Sequence, residues 1–518
     1  MKDLVFHHSL LSAAGSYADK TVVIDGAFRA TLGEHLSRVL RLGDGMRRQL
    51  DLGRSDRFAV MALNSHRYLE LYHAGLLGAG IINPLNLRLA PKELEFILQD
   101  SGCRTVFVDA LFAPVVEGVR ERAGIDHVVL IGGGEAPHSV GYDQLLASGE
   151  EVVPDEPEED DPVILMYTGG TTGRPKGVVI DSRAAMLEMY KVGTVFPMSD
   201  SYVYLHQTPM FHAASFGGIL TIPAIGATST FVGLFDPHDV LDTIEQHRVD
   251  MTVMVPTMIQ MLLDHPDFAP ERLSSLRILA YGASPMPTEL LKRLMSQLPE
   301  LQLFQGYGMT ECCGTLTMLG PEQHRAGGDL LRSAGRPLPG CRVRIVDHEG
   351  DVVPTGETGE ICAQGGNFMQ EYWNRPAETE AAFAGGWYHT GDAGYLDEHG
   401  YLYLVDRVKD MIVTGGENVY SAEVENALAS HPAVAQVAVI GVPSEQWGES
   451  VHAIVVPQPG ATVTEAELQE WVRDRIARYK VPKSMEIRTE PLPLSGAMKV
   501  LKRELRAPYW EGTSRSVG

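Results

Sequence analysis

Between residues 58 and 132, short apolar runs alternate with stretches in which apolar residues recur at helical spacing: 58–63, 105–109 and 128–131 read as strands, 68–77 as a helix. Parallel strands need a crossover, and a helical crossover covers the sheet face, so the alternation predicts a largely parallel sheet flanked by helices. The acidic, proline-containing stretch 150–162 has no core-forming pattern and predicts a surface connection into a buried strand at 163–166. A second alternating region has a helix at 286–298 and strand-like sequence at 333–346, and glycine turns crowd 335–400. Beyond residue 406 the pattern becomes helix 422–430, strands 436–441 and 452–457, and helix 465–479. That last helix opens on a capping box, Thr464 with Glu467, and places Leu468, Trp471, Val472 and Ile476 on one core-facing stripe. The fold class read from this is α/β: a large N-terminal α/β domain of several subdomains over residues 1–405, then a small α+β domain over 406–518.

A chain of 518 residues exceeds one ordinary core, in keeping with two domains. Hydrophobic residues at 44% and charged residues at 21% are the balance of a soluble globular protein, and no apolar stretch is long enough to span a bilayer. The formal charge of −24 disfavours nucleic acid and anionic lipid as partners, since both are bound through clustered Lys and Arg. An acid and two histidines within residues 1–8 do not fit a signal peptide, so a cytoplasmic location is expected. Five cysteines without repeated CxxC spacing support neither a disulfide framework nor a zinc site. Cys312 and Cys313 follow the glutamate of a motif, but no paired base is spelled nearby and they read as small apolar packing.

Candidate chemistry centres on Tyr167-Thr168-Gly169-Gly170-Thr171-Thr172-Gly173-Arg174-Pro175-Lys176-Gly177. Glycines let the backbone approach phosphate oxygens, threonines offer hydroxyl donors and Lys176 adds a point charge, so ATP is the cofactor implied. A Walker loop is excluded, because Lys176 follows Pro175 and precedes Gly177. A flexible linker is the alternative.

This stretch, with Gly306-Tyr307-Gly308-Met309-Thr310-Glu311, Tyr388-His389-Thr390-Gly391-Asp392, Asp406-Arg407-Val408-Lys409-Asp410 and a terminal lysine at Lys499, resembles the adenylate-forming superfamily of acyl-CoA synthetases, luciferases and peptide-synthetase adenylation domains. The resemblance implies a role for each motif. Glu311 would coordinate Mg2+ and Thr310 would contact the α-phosphate. Tyr307 would stack on adenine, with Gly282-Ala283-Ser284 as the opposite wall. Asp392 and Arg407 would hold the ribose, His212 would line the acyl pocket, and Lys499 would serve adenylation. The small domain is implied to be mobile, rotating about Asp406 to bring in Gly415-Gly416 for the coenzyme A step, where Trp447 and Lys409 or Lys480 would also act.

Two departures stand out. Gly170 occupies a place often held by serine. Before the terminal lysine the family has Ser or Thr and then Gly, whereas here Ala497 and Met498 precede Lys499 and the glycine sits at Gly496. The function implied is an acyl-CoA ligase, an AMP-forming acid–thiol ligase acting on a small-molecule carboxylic acid (fatty, aryl or polycyclic) with ATP or an acyl-adenylate, Mg2+ and coenzyme A. The altered loop opens an alternative, in which a partner enzyme supplies the acyl-adenylate and this chain performs only the thioester step. Other readings are a freestanding enzyme loading a carrier protein, and a nucleotide-binding regulatory protein without turnover.

Overall fold

The computed structural model describes residues 4–134, 139–168, 175–407, 411–414, 417–444, 446–496 and 498–510. Among these residues four sheets form. An eight-stranded sheet runs in the order Glu371–Tyr372, Lys176–Asp181, Pro162–Thr168, Ile81–Pro84, Arg57–Met61, Thr105–Asp109, His127–Ile131 and Ser139–Gly141. From Pro162–Thr168 onward all neighbours are parallel, as the alternation at 58–132 requires. A nine-stranded sheet has a parallel centre through Thr228–Phe231, Val203–His206, Met251–Met254, Ile278–Gly282 and Gln302–Tyr307, with antiparallel strands at its edges.

Helices Leu32–Leu50, His66–Ala74, Ser182–Val195 and Phe216–Ala224 lie between the two sheets. One buried cluster joins their Leu42, Met46, Tyr72, Met186 and Phe216 to Val23 of the nine-stranded sheet and to Phe58, Ile164 and Ile180 of the eight-stranded one. The first helix starts where Thr31 accepts from the Glu34 N–H and Glu34 accepts from the Thr31 N–H, a reciprocal cap. Outer faces are covered by Pro91–Ser101 and Ala113–Ala123 on one sheet and by Pro237–His247, Pro256–Asp264 and Thr288–Gln297 on the other. Burial on both faces is why the central strands are continuously apolar rather than alternating.

A four-stranded antiparallel sheet, Cys341–Val346, Gly359–Gly365, Tyr388–Leu396 and Leu402–Arg407, follows. Past Arg407 the chain enters the last sheet, which contains Ile412–Thr414, Glu417–Val419, Val434–Ser444, Gly448–Pro457 and Ser484–Ile487. Its faces carry Ser421–Ala429 with Glu465–Arg473 on one side and Lys502–Trp510 on the other. The Thr464–Glu467 box is present and Leu468 and Val472 are fully buried. The helix expected over 465–479 stops at Arg473; a short turn, Arg478–Lys480, follows, and Lys480 donates to Glu423 at 2.6 Å. The strands expected at 436–441 and 452–457 are longer and form one hairpin, since the polar residues of Val434–Ser444 and Gly448–Pro457 pair as well as the apolar ones. No described helix is long and apolar enough to cross a membrane.

Candidate active site

The parallel strands Pro162–Thr168, Ile278–Gly282 and Gln302–Tyr307 end at one cleft of ≈ 2440 Å³ that reaches the small domain. Strand ends of open α/β sheets are natural ligand sites, because loops there converge while the sheet holds them rigidly. Val163–Met166 are buried in the first of these strands, and Thr168 pairs opposite Lys176 on the antiparallel return. The phosphate-loop candidate is thus the connection of a hairpin. Its Gly169, Gly170, Thr171 and Thr172 lie outside the described residues. Lys176 Nζ is 2.5 Å from Glu378 Oε2 and 4.8 Å from the centre of the Tyr372 ring.

Gly282 and Gly306 are register partners, and a Cβ at Gly282 would stand 2.1 Å from the Gly306 carbonyl oxygen, so only glycine fits there. Ala283 follows with φ of 65°, a left-handed turn that carries Ser284 along the cleft wall. Tyr307 is buried and its hydroxyl donates to Asp392 Oδ2 at 2.7 Å; burial first, and then the Asp392 charge, raise its ionisation far above the ordinary range. Sequence assigned these two residues to adenine and ribose, and the fold joins them directly. Asp392 is set by its neighbours: Glu360 accepts from the Gly391 N–H at 3.2 Å and from His389 at 2.8 Å. Asp392 pairs across the sheet with Arg407, whose side chain, like Lys409, Gly415 and Gly416, lies outside the described residues.

Thr310 is buried in the turn Thr310–Cys312, and Glu311 Oε1 accepts from the Tyr372 hydroxyl at 3.0 Å. A carboxylate facing the cleft supplies the hard oxygen that Mg2+ prefers. His212 caps the turn Ala213–Ser215, its Nδ1 accepting from the Ala214 N–H at 3.2 Å. Burial, and then the positive charge of Lys499, bring its ionisation down to about 3, so the ring is neutral. Lys499, Glu311, Thr310, His212, Tyr307, Asp392, Thr168, Lys176 and Gly282-Ala283-Ser284 all line the one cleft. Trp447 does not; it stands 47% exposed on the turn of the small-domain hairpin. Cys312 and Cys313 are buried, and burial pushes the Cys312 thiol up to about 12, as packing residues rather than nucleophiles require.

Beyond His212 the cleft continues between Val192, Phe196, Tyr204, Ile222, Met251 and Met318, an apolar chamber. Its wall rests on a buried ion pair absent from the sequence reading. Lys191 Nζ lies 2.6 Å from Glu188 Oε2 and donates to the Thr315 carbonyl at 2.5 Å, while Glu188 Oε1 accepts from the Thr315 N–H at 3.1 Å. Burial raises the Glu188 ionisation; burial also lowers that of Lys191, but the Glu188 charge and hydrogen bond together with the nearby Cys341 and Cys312 outweigh it, and Lys191 is raised. The signal was a charged pair three residues apart on the same apolar stripe as Ala184, Ala185 and Val192. Tyr372 was also missed, since its strand pairs with the return from the phosphate loop only in three dimensions.

The chain belongs to the AMP-binding enzymes and is an acid–thiol ligase of that family: residues 10–373 match the AMP-binding enzyme profile and 423–499 that of the AMP-binding enzyme C-terminal domain. It is similar to a feruloyl-CoA synthase of Amycolatopsis sp, 39% identical over 493 residues, 94% of this chain and 96% of that protein. It is 35% identical to the fatty acid–[acyl-carrier-protein] ligase ScoC of Streptomyces coeruleorubidus, over 90% of this chain and 89% of that one. Among solved structures, o-succinylbenzoate CoA synthetase (MenE) of Bacillus subtilis with its acyl-adenylate superposes with a TM-score of 0.84 at 31% identity, covering 96% of this chain and 97% of that chain.

Two outcomes follow for this wall. Unfolded His212 takes up a proton near its ordinary value of about 6.5, and the folded ring only near about 3. The unfolded state binds more protons in between, so stability is full above the upper value and falls as the pH drops toward the lower one. His212→Asn therefore makes the acid limb of a melting-temperature profile shallower; an unaltered limb would show that the ring is not held neutral. Lys191→Met strands a buried carboxylate and costs about 3–5 kcal/mol of stability. Denaturant melts should show the loss and its partial recovery in Lys191→Met/Glu188→Gln; equal stability of wild type and the single variant would deny the pair its supporting role.

Proposed function

We propose that the chain activates a carboxylic acid with ATP and passes the acyl group to coenzyme A. The observation that carries this is the convergence of Lys499, Glu311 and the Tyr307–Asp392 pair on one cleft that continues into an apolar chamber past His212. Activation requires a carboxylate oxygen to attack the α-phosphorus while the bond to pyrophosphate breaks, so two anions must meet. Positive charge at that point comes from Lys499, with Thr310 beside it, and from Lys176 once phosphate replaces Glu378. Glu311 is the residue that would hold Mg2+, which when bound neutralises phosphate charge. Tyr307, Asp392 and the Gly282-Ala283-Ser284 wall orient the nucleoside. Neutral His212 adds no charge and closes the acyl wall. In the second step the thiol sulfur attacks the acyl carbonyl and AMP leaves.

The apolar chamber supports an acid with an extended aliphatic or aryl body. Small-domain rotation about Asp406, with residues 1–405 and 406–518 as the two bodies, would exchange Lys499 for Gly415-Gly416 and bring Trp447, Lys409 and Lys480 toward coenzyme A. The place of Lys499 in the cleft favours activation of free acid over receipt of an adenylate from a partner. Likeness to ScoC supports a second reading, transfer to a carrier-protein thiol.

A panel of fatty and aryl acids, assayed for pyrophosphate release and for thioester with coenzyme A or a phosphopantetheinylated carrier protein, tests this. Glu311→Gln and Lys499→Ala should lower adenylate formation about 100-fold, and Lys499→Ala should keep most of its turnover of synthetic acyl-adenylate with coenzyme A. Nucleotide binding without turnover of any acid, or equal loss of both half-reactions in Lys499→Ala, would reject the proposal.

A further inference from the structure

The loop before Lys499 reaches the cleft without the turn residues expected there. Leu494 and Val500 bridge, Ser495 N–H donates to the Lys499 carbonyl at 2.7 Å, and Met498 N–H donates to the Ser495 carbonyl at 2.9 Å, giving a tight hairpin. Met498 itself has φ of 60°, the left-handed conformation that glycine adopts freely and methionine does not. Methionine therefore holds at this position a backbone conformation that carries strain.

Contacts with the large domain accompany that strain. Arg88 Nη1 donates to the Leu494 carbonyl at 2.9 Å and to that of Ser495 at 3.4 Å. Thr257 Oγ1 donates to the Met498 carbonyl at 3.0 Å, fixing the peptide that leads into Lys499. The Met498 side chain packs on the apolar cluster formed by helices Pro237–His247, Pro256–Asp264 and Thr288–Gln297. Gly496 lies against the Asn86 amide so closely that a Cβ there would stand 2.1 Å from its Oδ1. The displaced glycine therefore serves contact between domains rather than the turn. Asn86 is held in turn by the Arg88 backbone N–H, 3.0 Å from the same oxygen.

We propose that Arg88 and Thr257 are positioning residues for the adenylation half-reaction: with Asn86 and the Met498 side chain they clamp the terminal hairpin onto the large domain and thereby deliver Lys499. This rests on the ligase reading above. Every clamp contact joins the two domains, so all are made in the orientation that places Lys499 in the cleft and none is needed once the hairpin has left it. Methionine at 498 then strengthens docking through its packing, and glycine there would relax the turn while removing the knob.

The test separates half-reactions and adds a readout independent of activity. Thr257→Val and Arg88→Met should each lower pyrophosphate release about tenfold, with KM for ATP held, while turnover of synthetic acyl-adenylate with coenzyme A stays near wild type. Thr257→Ser, which keeps the hydroxyl, should restore adenylation. Equal loss in both half-reactions at unchanged melting temperature, or loss in neither, would overturn the clamp. In parallel, Asn86→Cys/Gly496→Cys should form a disulfide on oxidation, several-fold more slowly when Thr257→Val and Arg88→Met are added. Unchanged cross-linking overturns the clamp whatever the chain does with acids; slower cross-linking in the clamp variants, with a wild type that forms no adenylate, refutes the ligase reading and leaves the docked hairpin standing.

Discussion

Two largely parallel sheets bury a shared layer of helices, and every position in the cleft depends on that layer. Phe58, Ile164 and Ile180 from one sheet and Val23 from the other meet Leu42, Met46 and Phe216 in one continuous cluster. Close packing there fixes the relative height of the strands, and so the height at which Thr168, Gly282 and Tyr307 emerge. Side chains that are to converge on one ligand must be placed within a fraction of an ångström, which loops alone achieve poorly. The sheets supply that precision, and short turns such as Thr310–Cys312 carry Glu311 only a few residues beyond a buried strand.

Much of this was legible in the chain. Continuous apolar runs announced strands buried on both faces, and Thr464 with Glu467 announced a helix start that the fold contains. Tyr307 and Asp392, assigned to neighbouring parts of one nucleotide, are hydrogen-bonded across 85 residues of sequence. What escaped was long-range and polar. The Tyr372 hydroxyl on Glu311 joins residues 61 apart, and Arg88 meets the terminal hairpin across about 406 positions. No local pattern encodes such pairs, because nothing in the sequence around either partner specifies the other. Helix 465–479 was overdrawn because Ile476 continues the apolar periodicity past Arg473, where the helix ends and a short turn, Arg478–Lys480, follows.

The terminal hairpin is the case where a local rule and the tertiary structure part. Read alone, Ala497 and Met498 remove the residues that make a tight turn inexpensive. In the fold, Met498 takes up the left-handed conformation regardless. A side chain there costs on the order of 1 kcal/mol in backbone strain, a cost of the same order as one hydrogen bond such as that from Thr257. Intrinsic preference is a weak term beside a few well-placed contacts, and this loop shows the exchange between them.

A consequence follows for how such a segment tolerates change. A turn that holds itself together must keep its own residues; a turn held from outside can drift in spelling, provided the surface receiving it stays put. The requirement has moved from positions 497 and 498 to Asn86, Arg88 and Thr257, far away in the chain and without chemistry of their own. Substitutions at those three places would be silent to any reading of the lysine segment itself, yet they would reach the same lysine.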